Sequence, residues 1–191
     1  MTIETTPSRA VIFHGYDATP SDHWFPWLAD ELTSRGISTE VPAFPEPVTP
    51  QVKAWEAVMQ KHLGRPDTGT AVVAHSLGCI TVLRHLASLA PGWRLGHLVL
   101  VAGFNTRLPA FPQVDSFIPS ELPLADIAAG VENLVVLRSD DDEFVPAEFT
   151  DDLATQLGVE VKIQPAAGHF LAADGITALP QVRDVLISHR P

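Results

Sequence analysis

Cysteine is nearly absent: Cys79 stands alone among 191 residues. No internal disulfide can form, and no cysteine-based metal site can be assembled. Basic residues are also few, 12 Lys and Arg against 23 Asp and Glu, giving a formal net charge of −11. Such a balance suits neither nucleic acid nor an anionic membrane, so neither is expected as a partner. No apolar run approaches the ~18 residues of a membrane span. The first nine residues are polar and lack the apolar stretch of a signal peptide, so a cytoplasmic location is expected. There is no G-x-x-x-x-G-K-[ST] phosphate loop, no G-x-G-x-x-G after a strand and no H-E-x-x-H. The eight histidines are scattered, so no metal and no cofactor is expected.

What is present is a globular mixture, 46% hydrophobic and 18% charged. The length suggests a single domain, residues 1–191, able to bury about 70% of its unfolded surface. There is no repeat and no low-complexity tract. Short apolar runs alternate with helical spacing. Strands are predicted at Ala10–His14, Ile37–Val41, Thr70–Ala74, His97–Ala102, Asn133–Leu137 and Val159–Ile163. Helices are predicted at Trp24–Arg35, Gln51–Leu63, Leu77–Leu89, Ala147–Leu157 and Ile176–Ser188. Pro42, Pro45, Pro47 and Pro50 break the chain after the second strand, and Gly103–Leu124 reads as an irregular loop that can act as a small lid. Six strands with intervening helices imply βαβ crossovers and a mostly parallel sheet covered on both faces. In such sheets sites form where strands hand over to loops at their carboxyl ends.

Ala74-His75-Ser76-Leu77-Gly78 lies between a strand and a helix. It approximates the G-x-S-x-G elbow, whose tight turn lifts the serine above the sheet and aims a helix amino end at it. Ala74 departs from the pattern by one methyl; the alternative reading is that Ser76 only caps the helix. A serine nucleophile needs a base, and the base needs an orienting carboxylate. In this fold class they follow in the order Ser, Asp or Glu, His. His169, after the last strand in Ala166-Ala167-Gly168-His169-Phe170, is the candidate base. The acid is expected in Ser139-Asp140-Asp141-Asp142-Glu143-Phe144-Val145-Pro146, with Asp142 chosen and Asp140 its rival. Two backbone N–H groups should meet the developing oxyanion: Leu77, next after the nucleophile, and Tyr16 in His14-Gly15-Tyr16. His14 is expected to bond locally and shape that turn. Trp24, Phe25, Phe104, Phe144 and Phe170 flank the site loops as candidate substrate-binding walls. Cys79 reads as a small buried residue.

Together with Trp24-Phe25-Pro26-Trp27-Leu28 and Gly168-His169-Phe170, these segments resemble the small serine hydrolase family that includes retinoblastoma-binding protein 9, over roughly Ala10–Ser188. The resemblance implies a compact α/β-hydrolase fold with about six parallel strands, little or no cap, and a Ser76–Asp142–His169 triad. It also implies a hydrolase, with contact to a protein partner described for some members. The expected activity is hydrolysis of a small acyl ester, amide or thioester through an acyl-serine. A protein-binding module on the same scaffold is the alternative, and a lyase or acyltransferase is a third reading.

Overall fold

The computed structural model describes residues 6–187. Expectations that touch residues 1–5, Ser188 and His189 fall outside that range. Six parallel strands form one sheet: β1 (Arg9–Phe13), β2 (Ser38–Glu40), β3 (Thr70–His75), β4 (Leu95–Val101), β5 (Val131–Ser139) and β6 (Val161–Gln164). Their spatial order is β2-β1-β3-β4-β5-β6. The chain therefore winds outward from β1 to β2, then reverses across β1 and proceeds to the other edge. The loops after β1 and β3 part at that reversal, where open α/β sheets form a crevice.

The strands alternate in the manner of a sheet with two buried faces. Val11, Phe13, Val72, Ala74, Leu98 and Leu100 point into one core. Ala10, Ile12, Ala71, Val73, Val99 and Val101 point into the other. Helices α2 (Val52–His62), α3 (Leu77–Ser88), α4 (Leu124–Ala129) and α5 (Ala147–Leu157) cover the first face through residues such as Trp55, Met59, Ile127 and Leu153. Helices α1 (Phe25–Thr33) and α6 (Pro180–Ile187) cover the second through Leu28, Leu32, Val182 and Leu186. Each contributes an apolar stripe at three- and four-residue spacing. Helix α3 is different, since Leu77 through Leu83 are all buried. It lies inside the molecule, and its apolar sequence all round is what that position requires.

The predicted elements are present with shifted ends. β2 and β6 are the sheet edges, paired on one side only, and they are shorter than expected. β4 and β5 are central and extend further toward their amino ends. The segment 103–124 is not structureless. It holds a 3-10 turn at Pro112–Phe117, and α4 begins at its end. Leu108, Val114 and Phe117 from this segment are buried against the first core. Among the described residues no helix is long and apolar enough to cross a membrane.

Candidate active site

Ser76 is the hinge between β3 and α3. Its backbone takes φ 54° and ψ −122°, in the left-handed half of conformational space that a residue with a Cβ rarely enters. Its N–H donates to the Val101 carbonyl at 2.9 Å and its carbonyl accepts from the Cys79 N–H at 2.9 Å. The strain is thus held from both neighbouring elements. Gly78 is required by close approach: a Cβ there would lie 2.6 Å from the His14 carbonyl oxygen. Ala74 is fully buried in the strand.

Ser76, His169 and Asp142, far apart in sequence, meet above the carboxyl end of the sheet. Ser76 Oγ is 2.9 Å from His169 Nε2, and His169 Nδ1 is 2.7 Å from Asp142 Oδ2. Both side chains of the His–Asp pair are nearly sealed from solvent. Asp142 Oδ1 accepts from the Phe144 and Val145 amides at 2.8 and 3.0 Å, which fixes the carboxylate plane. With Asp142 accepting at Nδ1, the imidazole carries its proton there and presents a lone pair at Nε2 to the serine hydroxyl.

The other acidic residues of that loop hold the histidine loop. Asp140 Oδ1 accepts from the Ala166 amide at 2.8 Å, Ser139 Oγ from Ala167 at 3.0 Å, and Asp141 Oδ1 from Gly168 at 2.8 Å. Asp174 Oδ2 accepts from the His169 amide at 2.9 Å. Asp140, the rival for the acid, is committed to Ala166 and does not bond the imidazole. The Ser139 hydroxyl and the Gly168 amide hold the Asp141 carboxyl below its ordinary pKa. Gly168 needs to be glycine twice over: φ is +52°, and a Cβ would come within 2.4 Å of Asp174.

His75, just before Ser76, is wholly interior and bonds through Nε2 to the His169 carbonyl at 2.8 Å. Burial pushes its pKa well below the ordinary value, so the ring is neutral and Nε2–H donates. The elbow thereby grips the backbone of His169 as well as its side chain. Burial raises the Cys79 thiol pKa, and Sγ–H donates to the Ala74 carbonyl. The thiol is a core group.

On the opposite side, the loop after β1 supplies the candidate oxyanion donors. His14 Nε2 accepts from the Phe44 N–H at 3.0 Å, so Nδ1 carries the proton and donates to the Gly15 carbonyl at 2.9 Å. That carbonyl belongs to the peptide whose N–H is Tyr16. Burial lowers the His14 pKa, which keeps this tautomer neutral. Among the described residues neither the Tyr16 nor the Leu77 amide bonds to another protein group. The proline-rich stretch after β2 backs the loop: Pro47 accepts from the Asp17 amide at 2.9 Å, and Phe44 stacks on Trp55 at 4.0 Å.

Ser76 opens onto a cleft of ≈ 200 Å³. Phe104, Leu108, Phe111 and Val114 line it from segment 103–124, and Phe144 and Val145 from the acid loop. Tyr16, Asp17, His23 and Leu171 complete the rim. Phe104 and Phe144 are where the sequence puts them. Trp24, Phe25 and Phe170 are not: all three are fully buried in the second core and do not reach the cleft. Trp24 and Phe25 turn inward beneath His75, with ring centroids 6.1 and 5.8 Å from it, and form a floor under that ring. Phe170 takes φ 59° and joins the same core. Sequence reasoning missed Leu108, Phe111, Val114 and Leu171, which follow no period, and His23. Among the described residues no grouping of His, Cys, Asp or Glu is suited to hold a metal ion.

YdeN of Bacillus subtilis, whose name proposes a hydrolase, is 36% identical over 181 residues, covering 95% of each chain. The crystal structure of that gene product superposes with a TM-score of 0.91, covering 95% of this chain and 98% of the other. The serine hydrolase RBBP9 of Rattus norvegicus is 23% identical over 169 residues, covering 86% of this chain and 88% of the relative. A family model described as serine hydrolase matches residues 10–188, and the chain accordingly belongs to the serine hydrolase family, built on the α/β-hydrolase fold.

Proposed function

We propose that the protein is an esterase-like hydrolase that cleaves small acyl esters through an acyl-serine at Ser76. The observation that carries this reading is the continuous relay from Asp142 through His169 to Ser76, at 2.7 and 2.9 Å. Ser76 Oγ attacks the ester carbonyl carbon as its proton passes to His169 Nε2. Negative charge on the carbonyl oxygen is met by the Tyr16 and Leu77 amides, which cost no reorganisation at that moment. Collapse breaks the bond to the alcohol oxygen, which takes the proton from His169. Water then attacks the acyl-serine, giving its proton to His169. The C–Oγ bond breaks, the acid leaves and Ser76 recovers its proton. Asp142 keeps its charge throughout and stabilises the imidazolium.

The cleft supports an apolar acyl group of modest size. Among the described residues no Lys or Arg lines it, so a second carboxylate on the acyl chain would lack a partner. Amide and thioester substrates use the same steps with a different leaving atom. The test is labelling by a fluorophosphonate probe, with the adduct located by peptide mass spectrometry, together with turnover of p-nitrophenyl butanoate. A Ser76 adduct that vanishes in Ser76→Ala, along with turnover, is expected. Undiminished turnover by that variant overturns the reading.

A further inference from the structure

We propose that His23 is a substrate-contacting residue that donates a hydrogen bond from Nε2 to the alcohol portion of the ester, so that the enzyme favours apolar acyl groups joined to hydroxyl-bearing alcohols. This rests on the hydrolase reading above and extends it to the leaving group. His23 stands outside the triad yet lines the same cleft. Its tautomer is fixed by the fold: Nδ1 accepts the Ala172 N–H at 3.0 Å, so the neutral ring carries its proton on Nε2. No protein acceptor takes that proton among the described residues, and Nε2 is not among the atoms sealed in the interior. A donor on a ring of fixed tautomer, in a residue that lines the cleft, is therefore left without a protein acceptor among the described residues.

Its backbone adds a second observation. His23 adopts φ 53°, a left-handed conformation that strains a residue with a Cβ. The strain turns Trp24 and Phe25 into the core and leaves the imidazole at the rim. The ring is braced edge-on by Phe25 at 5.4 Å and His75 at 5.9 Å. Burial lowers its pKa, so it remains a neutral donor at pH 7. The neighbouring Asp22 carboxylate is engaged elsewhere, by the Thr19 amide and hydroxyl at 2.6 and 2.8 Å.

The location selects which half of the substrate His23 meets. Ala172, which bonds Nδ1, is three residues beyond His169 in the loop that carries the base. The leaving alcohol must lie beside His169 to receive its proton. The acyl group has the apolar side, between Phe104, Leu108 and Val114. The alcohol then extends along the rim holding His23 and Asp17, a donor and an acceptor matched to hydroxyl groups.

The test compares two butanoyl esters, of p-nitrophenol and of glycerol, with the full chain and its variants. They share the acyl group and hence the deacylation step, and only the glyceryl ester presents hydroxyls near the scissile bond. In His23→Phe the ratio of kcat/KM, glyceryl over nitrophenyl, should fall about tenfold, as expected for one lost neutral hydrogen bond. His23→Gln, which restores an N–H donor at similar reach, should recover most of it. If phenylalanine overcrowds the turn, His23→Ala is read by the same ratio. A purely structural role would lower both esters together and leave the ratio unchanged; that result overturns the proposal, as does failure of the wild type to turn over the glyceryl ester. Wild-type chain that takes no fluorophosphonate at Ser76 sinks the hydrolase reading itself. Labelled wild type with an unmoved ratio sinks only the role of His23.

Discussion

The two walls of the cleft are built by different physics. On the side of His169, directional bonds fix nearly every group: Ser139, Asp140, Asp141 and Asp142 receive four consecutive positions of the histidine loop at 2.7 to 3.0 Å. On the opposite side, Phe104, Leu108 and Val114 are buried apolar groups held by packing. That wall is anchored at its edge by the Thr150 hydroxyl on the Gly103 carbonyl at 2.8 Å. Hydrogen bonds weaken steeply with distance and angle, so the first wall specifies where the reacting atoms are. Packing specifies a volume and tolerates swaps that conserve it, so the second wall is where substrate range can change without loss of chemistry.

The sharpest test of the contrast between the walls is to remove the groups proposed to react. Ser76→Ala and His169→Ala should each lower kcat for p-nitrophenyl butanoate by on the order of 10⁶. Circular dichroism should stay native, because neither change leaves a large void. Asp142→Asn should fall by on the order of 10⁴, since the amide favours the wrong imidazole tautomer. Asp140→Asn weakens only the bond to the Ala166 amide and should lose about tenfold. A loss at Asp140 equal to that at Asp142 would reverse the choice of acid.

The apolar wall should respond in stability before chemistry. Phe104→Ala removes a buried ring and should lower unfolding free energy by about 3–5 kcal/mol in urea titrations. Its optimum among straight-chain esters should move to longer acyl groups. A variant with native stability and an unchanged chain-length profile would place Phe104 outside the wall.

This contrast also explains what the sequence makes legible. The elbow reads clearly because TAVVA must be a buried strand and because Gly78 tolerates no side chain. Chain order points to His169 and to the acidic loop after β5, each following an apolar strand; within that loop only the likeness of Asp-x-x-Val-Pro to the family's acid loop separates Asp142 from Asp140. Helix α4 does not, being six residues long behind a run of prolines, and its apolar face is supplied by tertiary contact. The walls read poorly for a related reason. Proximity in sequence to a site loop does not say which way a ring points, and the positive φ at His23 sends Trp24 and Phe25 to the floor. Leu108, Phe111 and Val114 belong to an irregular segment with no period to follow.

The polar wall carries titrating groups and the apolar wall does not, so acid should act on one alone. His75 has its pKa driven well below 6.5 by burial, so the unfolded chain binds this proton first. Its contribution is complete above pH ~6.5 and is lost as pH falls toward the folded-state value, by at most ~1.4 kcal/mol per pH unit. His75→Gln keeps a donor for the His169 carbonyl but does not titrate. It should melt below the wild type at pH 7.5, with the gap narrowing by pH 5.5. A gap that widens in acid would mean that His75 is charged in the folded protein.

Phe144 joins the walls and should show the smallest effect. It is 41% exposed, with its ring 5.8 Å from Phe111 on one side and 5.4 Å from His169 on the other. Because so much of it already meets water, Phe144→Ala should change stability by no more than about 0.5 kcal/mol. It also lines the cleft that would take the acyl methylenes beyond the carbonyl. Losing shelter for roughly one methylene should lower the preference for butanoyl over acetyl esters about fourfold in kcat/KM. A drop of more than ~2 kcal/mol would assign Phe144 to the packed wall. An unmoved acyl preference would show instead that the arc from Phe111 to His169 shapes the mouth of the cleft without touching the acyl group.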